Sequence, residues 1–190
     1  MHSIQFSTPW TPRWRVADEP AIYGVARPTV YLDTSIPSYL TNRLSARLDV
    51  ARNQRITDVW WRRYRSRFEL RISEVVYSEA EGGNKQRAKQ RLAVLESIQW
   101  LDPSPQSDAL ASMMLARGLL PHKAEKDANH ISIAAFHAVQ FLLTWNCKHM
   151  ANPFIARQIV RMCESEGLRC PKICTPTTLM RLCQHERSNP

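Results

Sequence analysis

The chain has 190 residues, enough for one domain whose core needs no disulfide or metal staple. Hydrophobic residues make up 44% and charged residues 23%, which excludes a disordered or fibrous chain, and no apolar run reaches the ~20 residues of a membrane helix. With 26 Lys and Arg against 17 Asp and Glu the net charge is +9, so the expected partner is a polyanion, either nucleic acid or an acidic protein.

Residues 1–27 read as an irregular N-terminal arm: Pro9, Pro12 and Pro20 recur among Trp10, Arg13, Trp14 and Arg15 without a helical or strand period. No apolar leader stands at the start, and the five cysteines (Cys147, Cys163, Cys170, Cys174 and Cys183) are odd in number. Reduced thiols and a cytoplasmic location are therefore expected. Thr29-Val30-Tyr31-Leu32 predicts a buried strand begun after Pro28 and ended by Asp33. A carboxylate at that point lies at the carboxyl edge of an open α/β sheet, where such sheets bind ligands.

Beyond it, Ile56, Trp60, Tyr64 and Phe68 recur at i+4 and predict the apolar face of a helix, with Trp60 and Trp61 in the core or a dimer interface. Arg55, Arg62, Arg63 and Arg65 stand on the opposite face. Nine arginines between Asn42 and Arg71 meet only Asp49, Asp58 and Glu69, a composition suited to phosphate oxygens. Leu70–Ser73 predicts a second strand, with Ser73 capping a helix from Glu74 to Gly82-Gly83. Asn84 caps the next helix, which buries Ala88, Leu92, Leu95 and Ile98, and Trp100-Leu101 adds a short extended piece.

Helices are predicted over Ser107–Arg117, stopped by Gly118, and over Glu125–Val139. Phe141–Trp145 predicts a buried strand. Asn152-Pro153 opens a helix that Gly167 ends, Lys172–Thr175 predicts a last strand, and Pro176 starts a final helix through Leu182. Strands alternating with helices predict an α/β domain over residues 28–182 with a small, mostly parallel sheet, followed by a tail over 183–190.

Asp33, Glu79, Asp127 and Asn146 fall at strand ends or on helices that can return to one sheet edge. Carboxylates converging in this way suit Mg²⁺ or Mn²⁺. Repulsion among them predicts a raised pKa for at least one acid of the metal-free site. On residues alone Glu74 and Glu81 compete with Glu79, and each acid also has an ordinary structural use at a turn, a solvated face or a helix start. His130 reads as a residue packing near the site rather than a ligand. The cysteine spacing matches no common zinc pattern, so buried free thiols are expected.

The stretches Tyr31-Leu32-Asp33-Thr34-Ser35, Ile72–Glu79, Asp127-Ala128-Asn129-His130-Ile131 and Leu142–His149 together resemble the PIN domain, and more narrowly the VapC-like toxins of type II toxin–antitoxin systems. The resemblance implies a three-layer PIN-like fold and a Mg²⁺- or Mn²⁺-dependent endoribonuclease that hydrolyses RNA with a metal-activated water. It implies Asp33, Glu79 and Asp127 as metal ligands, choosing Glu79 over its neighbours, with Thr34, Ser35 and Thr144 ordering the site. It also implies a small antitoxin protein as partner, a homodimer, no membrane, and RNA or antitoxin contact through Arg55, Arg62, Arg63 and Arg65. The commoner pattern has a fourth acid where this chain has Asn146, and an acidic residue where it has Gln140. One bound ion is therefore expected rather than two. The alternative reading is a catalytically weak module that binds RNA or protein. A haloacid-dehalogenase-type phosphatase is disfavoured because Ser35 stands where its second aspartate is needed.

Overall fold

The computed structural model describes residues 26–185. Most of the expected arm over 1–27 and the last five residues of the expected tail over 183–190 lie outside the described residues. Five strands form one parallel sheet: β1 (Thr29–Leu32), β2 (Glu69–Ile72), β3 (Gln99–Trp100), β4 (Phe141–Leu143) and β5 (Lys172–Cys174), in the order β3-β2-β1-β4-β5. The helices are α1 (Ser35–Thr41), α2 (Leu48–Arg63), α3 (Glu74–Glu81), α4 (Lys85–Leu95), α5 (Pro105–Ala116), α6 (Glu125–Phe136), α7 (Pro153–Ser165) and α8 (Pro176–His185). The sheet and its flanking helices make the α/β fold that the alternating pattern predicts and the PIN-like fold that the resemblance implies.

Strand β1 is central. Val30, Tyr31 and Leu32 are wholly buried, as a strand covered on both faces requires. From β1 the chain steps outward to β2 and β3, then returns to place β4 on the other side of β1. The strand order thus reverses between β1 and β4. Residues that follow those two strands line the crevice where parallel sheets take ligands.

Three helix ends show how local chemistry closes the fold. Helices α5 and α7 stop in the same way: Gly118 and Gly167 take left-handed φ values of 68° and 70°. The next residue's N–H reaches back to Met114 O and Cys163 O respectively. Helix α6 ends with the same hydrogen-bond pattern, Ala138 N to Ala135 O and Val139 N to Ala134 O, but Ala138 occupies the left-handed position at φ 50°. The helix therefore stops at Phe136 instead of running to Val139. No glycine marks this stop in the sequence.

The buried face of α2 also differs from expectation. Ala51, Gln54, Thr57 and Trp60 are buried, whereas Ile56 is half-buried and the helix ends at Arg63, before Tyr64 and Phe68. Phe68 still reaches the core after a 3-10 turn at Arg65–Arg67. Two polar residues can face inward because both are satisfied. Gln54 Nε2 donates to Arg43 O at 3.1 Å and its Oε1 accepts from Ser45 N at 2.9 Å. Thr57 Oγ1 donates to Asn53 O at 2.7 Å and accepts the Trp145 indole N–H at 2.8 Å. The second contact ties α2 to the segment leaving β4. Trp60 is fully buried, a core residue as expected.

The cysteines carry no disulfide: Cys163, Cys174 and Cys183 are buried, Cys170 is half-buried and Cys147 is exposed. Burial pushes the Cys174 thiol up to about 12, so it packs as a small apolar group.

Candidate metal centre

Asp33 leaves β1 into the crevice, 6% exposed, and its backbone N–H still pairs with Leu143 O at 3.0 Å. Two hydroxyls hold one of its oxygens: Ser35 donates to Oδ2 at 2.6 Å and Thr144, just past β4, donates to the same atom. Thr144 is fully buried, and its oxygen also accepts the Asn146 N–H at 2.8 Å. Ser35 in turn accepts the Trp145 N–H at 2.9 Å. Both sides of the strand reversal are thereby pinned to one carboxylate, with Oδ1 turned toward the remaining groups.

Glu79 comes from the far turn of α3. Thr34 Oγ1 donates to its Oε2 at 2.6 Å, and His130 Nε2 lies 3.1 Å from the same oxygen. The Lys126 ammonium stands 3.6 Å from Oε1. Burial alone would push the Glu79 carboxyl up. The hydrogen bonds from His130 and Thr34, with the charge of Lys126, outweigh burial and hold it down at about 2. The repulsion expected to raise an acid's pKa is not what governs Glu79. Its hydroxyl and nitrogen donors are.

His130 packs beside the site, as its place on the helix suggested, and it reaches both carboxylates. The ring is 1% exposed, and its Nε2 also lies 3.8 Å from Asp33 Oδ1. Among the described residues, Asp33, Glu79 and His130 form the one group of three or more acidic, imidazole or thiol ligands whose donor atoms all lie within 4.8 Å of one another. Behind the ring, Tyr31 Oη is 2.9 Å from Nδ1 and 2.6 Å from Ser73 Oγ. Ser73 does not cap α3 with its side chain as its position suggested. Its hydroxyl is committed to Tyr31 instead. A histidine three residues after Asp127 was the only trace of this arrangement in the sequence.

Asp127 lies in the first turn of α6 and belongs to a second cluster. Asn146 Nδ2 donates to Asp127 Oδ2 at 2.9 Å, and His149 Nδ1 lies 2.8 Å from the same oxygen. The Asn146 carbonyl accepts the His149 N–H at 3.1 Å, which fixes the amide's orientation. Asp33, Glu79, Thr34, Ser35 and Thr144 are thus brought together directly. Asp127 and Asn146 are linked to them through the Asn146 backbone and Thr144. His149 carried no role in the sequence reading.

Arg55, Arg62, Arg63 and Arg65 are all exposed on α2 and the turn after it. Arg62 pairs with Asp58 at 2.7 Å, and the Arg65 guanidinium lies 4.7 Å from the centre of the Trp61 ring. Among the described residues no helix is long and apolar enough to cross a membrane.

No protein-family model matches the chain, and no curated protein matches it either. Solved structures do. VapC20 of Mycobacterium tuberculosis, a sarcin–ricin loop cleaving toxin, superposes with a TM-score of 0.51 at 16% identity, covering 65% of this chain and 95% of its own. VapBC-1 from nontypeable Haemophilus influenzae gives a TM-score of 0.50 at 16% identity, covering 78% of this chain and 98% of that one. The fold is that of the VapC toxins, as the four sequence stretches implied.

Proposed function

We propose that this chain is a divalent-metal-dependent endoribonuclease acting as the toxin of a toxin–antitoxin pair. The observation that carries the reading is the meeting of Asp33 and Glu79 at the strand reversal, each held by neutral hydroxyl donors. The donor set fits a small dication. Two carboxylates face each other across the crevice, and Glu79 stays ionised throughout the neutral range. Asp33, Glu79 and Asp127 are the carboxylates assigned to Mg²⁺ or Mn²⁺. When bound, the ion supplies a Lewis acid for a phosphoryl oxygen and a water of lowered pKa.

The remaining work falls to the protein. Ser35, Thr34 and Thr144 fix the carboxylates so that no reorganisation is needed when charge develops. Arg55, Arg62, Arg63 and Arg65 offer a cationic surface for the RNA backbone or for an acidic antitoxin segment. The solved relatives include a toxin that cleaves an RNA loop, which supports RNA as the substrate class. A homodimer is part of the same reading.

The test is RNA cleavage by the purified chain with Mg²⁺ or Mn²⁺, beside Asp33→Asn. Cleavage should fall about a hundredfold or more while thermal unfolding stays cooperative. Equal cleavage by both proteins would remove the assigned chemistry. Salt-dependent RNA binding with no cleavage in either metal would favour the binding-module reading, which the neutral Asn146 beside Asp127 supports.

A further inference from the structure

We propose that His130 Nε2 is a ligand of the same ion, that Tyr31 and Ser73 position the ring for that role, and that the centre therefore prefers a transition-metal dication such as Mn²⁺ to Mg²⁺. The inference rests on the metal site just proposed and adds to it a nitrogen donor and a metal preference.

The distances are those of ligands around one ion. Donor atoms bound at about 2.1 Å sit about 3.0 Å apart when adjacent and about 4.2 Å apart when opposite. His130 Nε2 is 3.1 Å from Glu79 Oε2 and 3.8 Å from Asp33 Oδ1. Both separations fall within the span between opposite ligands of one ion. The ring is buried in the wall behind the carboxylates, so it cannot turn away to solvent.

The groups behind the ring permit this role. A nitrogen that binds metal must face it with a lone pair, and the other ring nitrogen then donates its N–H to an acceptor. Tyr31 Oη meets Nδ1, and Ser73 Oγ meets Tyr31 Oη. Burial, then the negative charges of Asp33 and Glu79, push the Tyr31 pKa up despite the bond to Ser73, so the group remains a hydroxyl. A hydroxyl gives one hydrogen bond and accepts others, so the chain runs in two directions. In one, Ser73 donates to Tyr31, Tyr31 donates to Nδ1, and Nε2–H points at Glu79. In the other, Nδ1–H donates to Tyr31, Tyr31 donates to Ser73, and the Nε2 lone pair faces the carboxylates. Passing between them, one proton leaves Nε2, one is taken up at Nδ1 and the hydroxyls rotate. The charge of the ring does not change.

Mg²⁺ demands oxygen ligands and gives up water reluctantly, whereas first-row transition ions accept imidazole nitrogen, Mn²⁺ least strongly and the later ions more so. An imidazole added to the carboxylates therefore shifts the preference of the site away from Mg²⁺.

The full chain, stripped with chelator and loaded with Mn²⁺, is examined by pulsed electron paramagnetic resonance for coupling to a directly bound ¹⁴N. Mn²⁺ and Mg²⁺ affinities are measured by calorimetry on the same protein. The wild type should show the nitrogen coupling and bind Mn²⁺ at least tenfold more tightly than Mg²⁺. His130→Gln should lose the coupling and most of that preference, while His122→Gln, at an exposed turn before α6, keeps both. Tyr31→Phe, which keeps the buried ring but removes the Nδ1 partner, should weaken Mn²⁺ binding about tenfold. Bound Mn²⁺ without nitrogen coupling in the wild type overturns the inference, whatever the variants do. If Asp33→Asn abolishes Mn²⁺ binding while His130→Gln leaves it unchanged, the carboxylate site stands and this inference falls. If the wild type binds neither ion, both fall.

Discussion

Asn146 donates its side-chain amide to Asp127 at 2.9 Å, at the position where the resembling family more commonly has an acid. The amide takes up charge that a carboxylate there would add. Asn146→Asp should therefore lower the stability of the metal-free protein by about 1–2 kcal/mol, because two acids then meet at hydrogen-bond distance. Mn²⁺ should restore the loss and raise the melting temperature more than it does in the wild type. Melting curves with chelator and with Mn²⁺ check both points, and an unchanged metal-free curve would contradict the charge argument.

Thr144 serves two partners at once, Asp33 Oδ2 and the Asn146 N–H. Thr144→Val keeps the shape and leaves both without their partner in a fully buried place. A loss of about 1–3 kcal/mol is expected from chemical denaturation, with no change in the slope against denaturant. Ser35→Ala should be milder, since Asp33 keeps the Thr144 bond.

Glu79 makes metal-free stability depend on acid. Its folded pKa is about 2 against an ordinary 4.5, so the stabilisation is complete above about 4.5 and is lost as pH falls toward 2. The side chain is 24% exposed, and the contribution is on the order of 2 kcal/mol. Thr34→Val removes the 2.6 Å donor, so its acid transition should move to higher pH. Unfolding followed between pH 2 and 5 in chelator reads the shift, and superimposable wild-type and Thr34→Val curves would refute it.

Ala138 carries a steric penalty at φ 50° where α5 and α7 use glycine. Ala138→Gly should stabilise the protein by about 1 kcal/mol, the left-handed penalty of a residue with a Cβ less the added chain entropy. A lowered melting temperature would show that this turn gains more from its methyl group than the backbone argument allows.

The exposed arginines are tested by salt. Replacing Arg55 and Arg63 by Gln should weaken RNA binding at every sequence alike. It should also reduce the slope of log affinity against log salt by about 0.7 for each phosphate that is no longer neutralised. An unchanged slope would take α2 out of the RNA-binding surface.

The sequence exposed most of the frame because the central strands are unbroken apolar runs and because Asn84, Asn152, Gly118 and Gly167 cap helices with the expected chemistry. Asp33 was legible for the same reason: an acid directly after Val30-Tyr31-Leu32 has little choice of position. What stayed hidden depends on contacts between distant segments. Gln54 and Thr57 are polar letters on a buried face, and only their partners in other segments make that face credible. The end of α6 was missed because alanine carries no stop signal. His130 packs near the site as its position suggested, but a lone histidine gives no sign of its neighbours. Its meaning comes from Tyr31, Ser73, Asp33 and Glu79, which the fold brings from other segments.

The strand reversal between β1 and β4 also sets an order of events during synthesis. Asp33 and Thr144 are 111 positions apart. A growing chain carries Asp33 and Glu79 well before Phe141–Leu143 has been made, and Asp127 and His130 shortly before. Until that strand is laid against β1, Asp33 lacks the Thr144 hydroxyl and Asp127 lacks the Asn146 amide. The centre is thus assembled only in a polypeptide translated past its fourth strand, and a stalled or truncated product holds the acids without the arrangement.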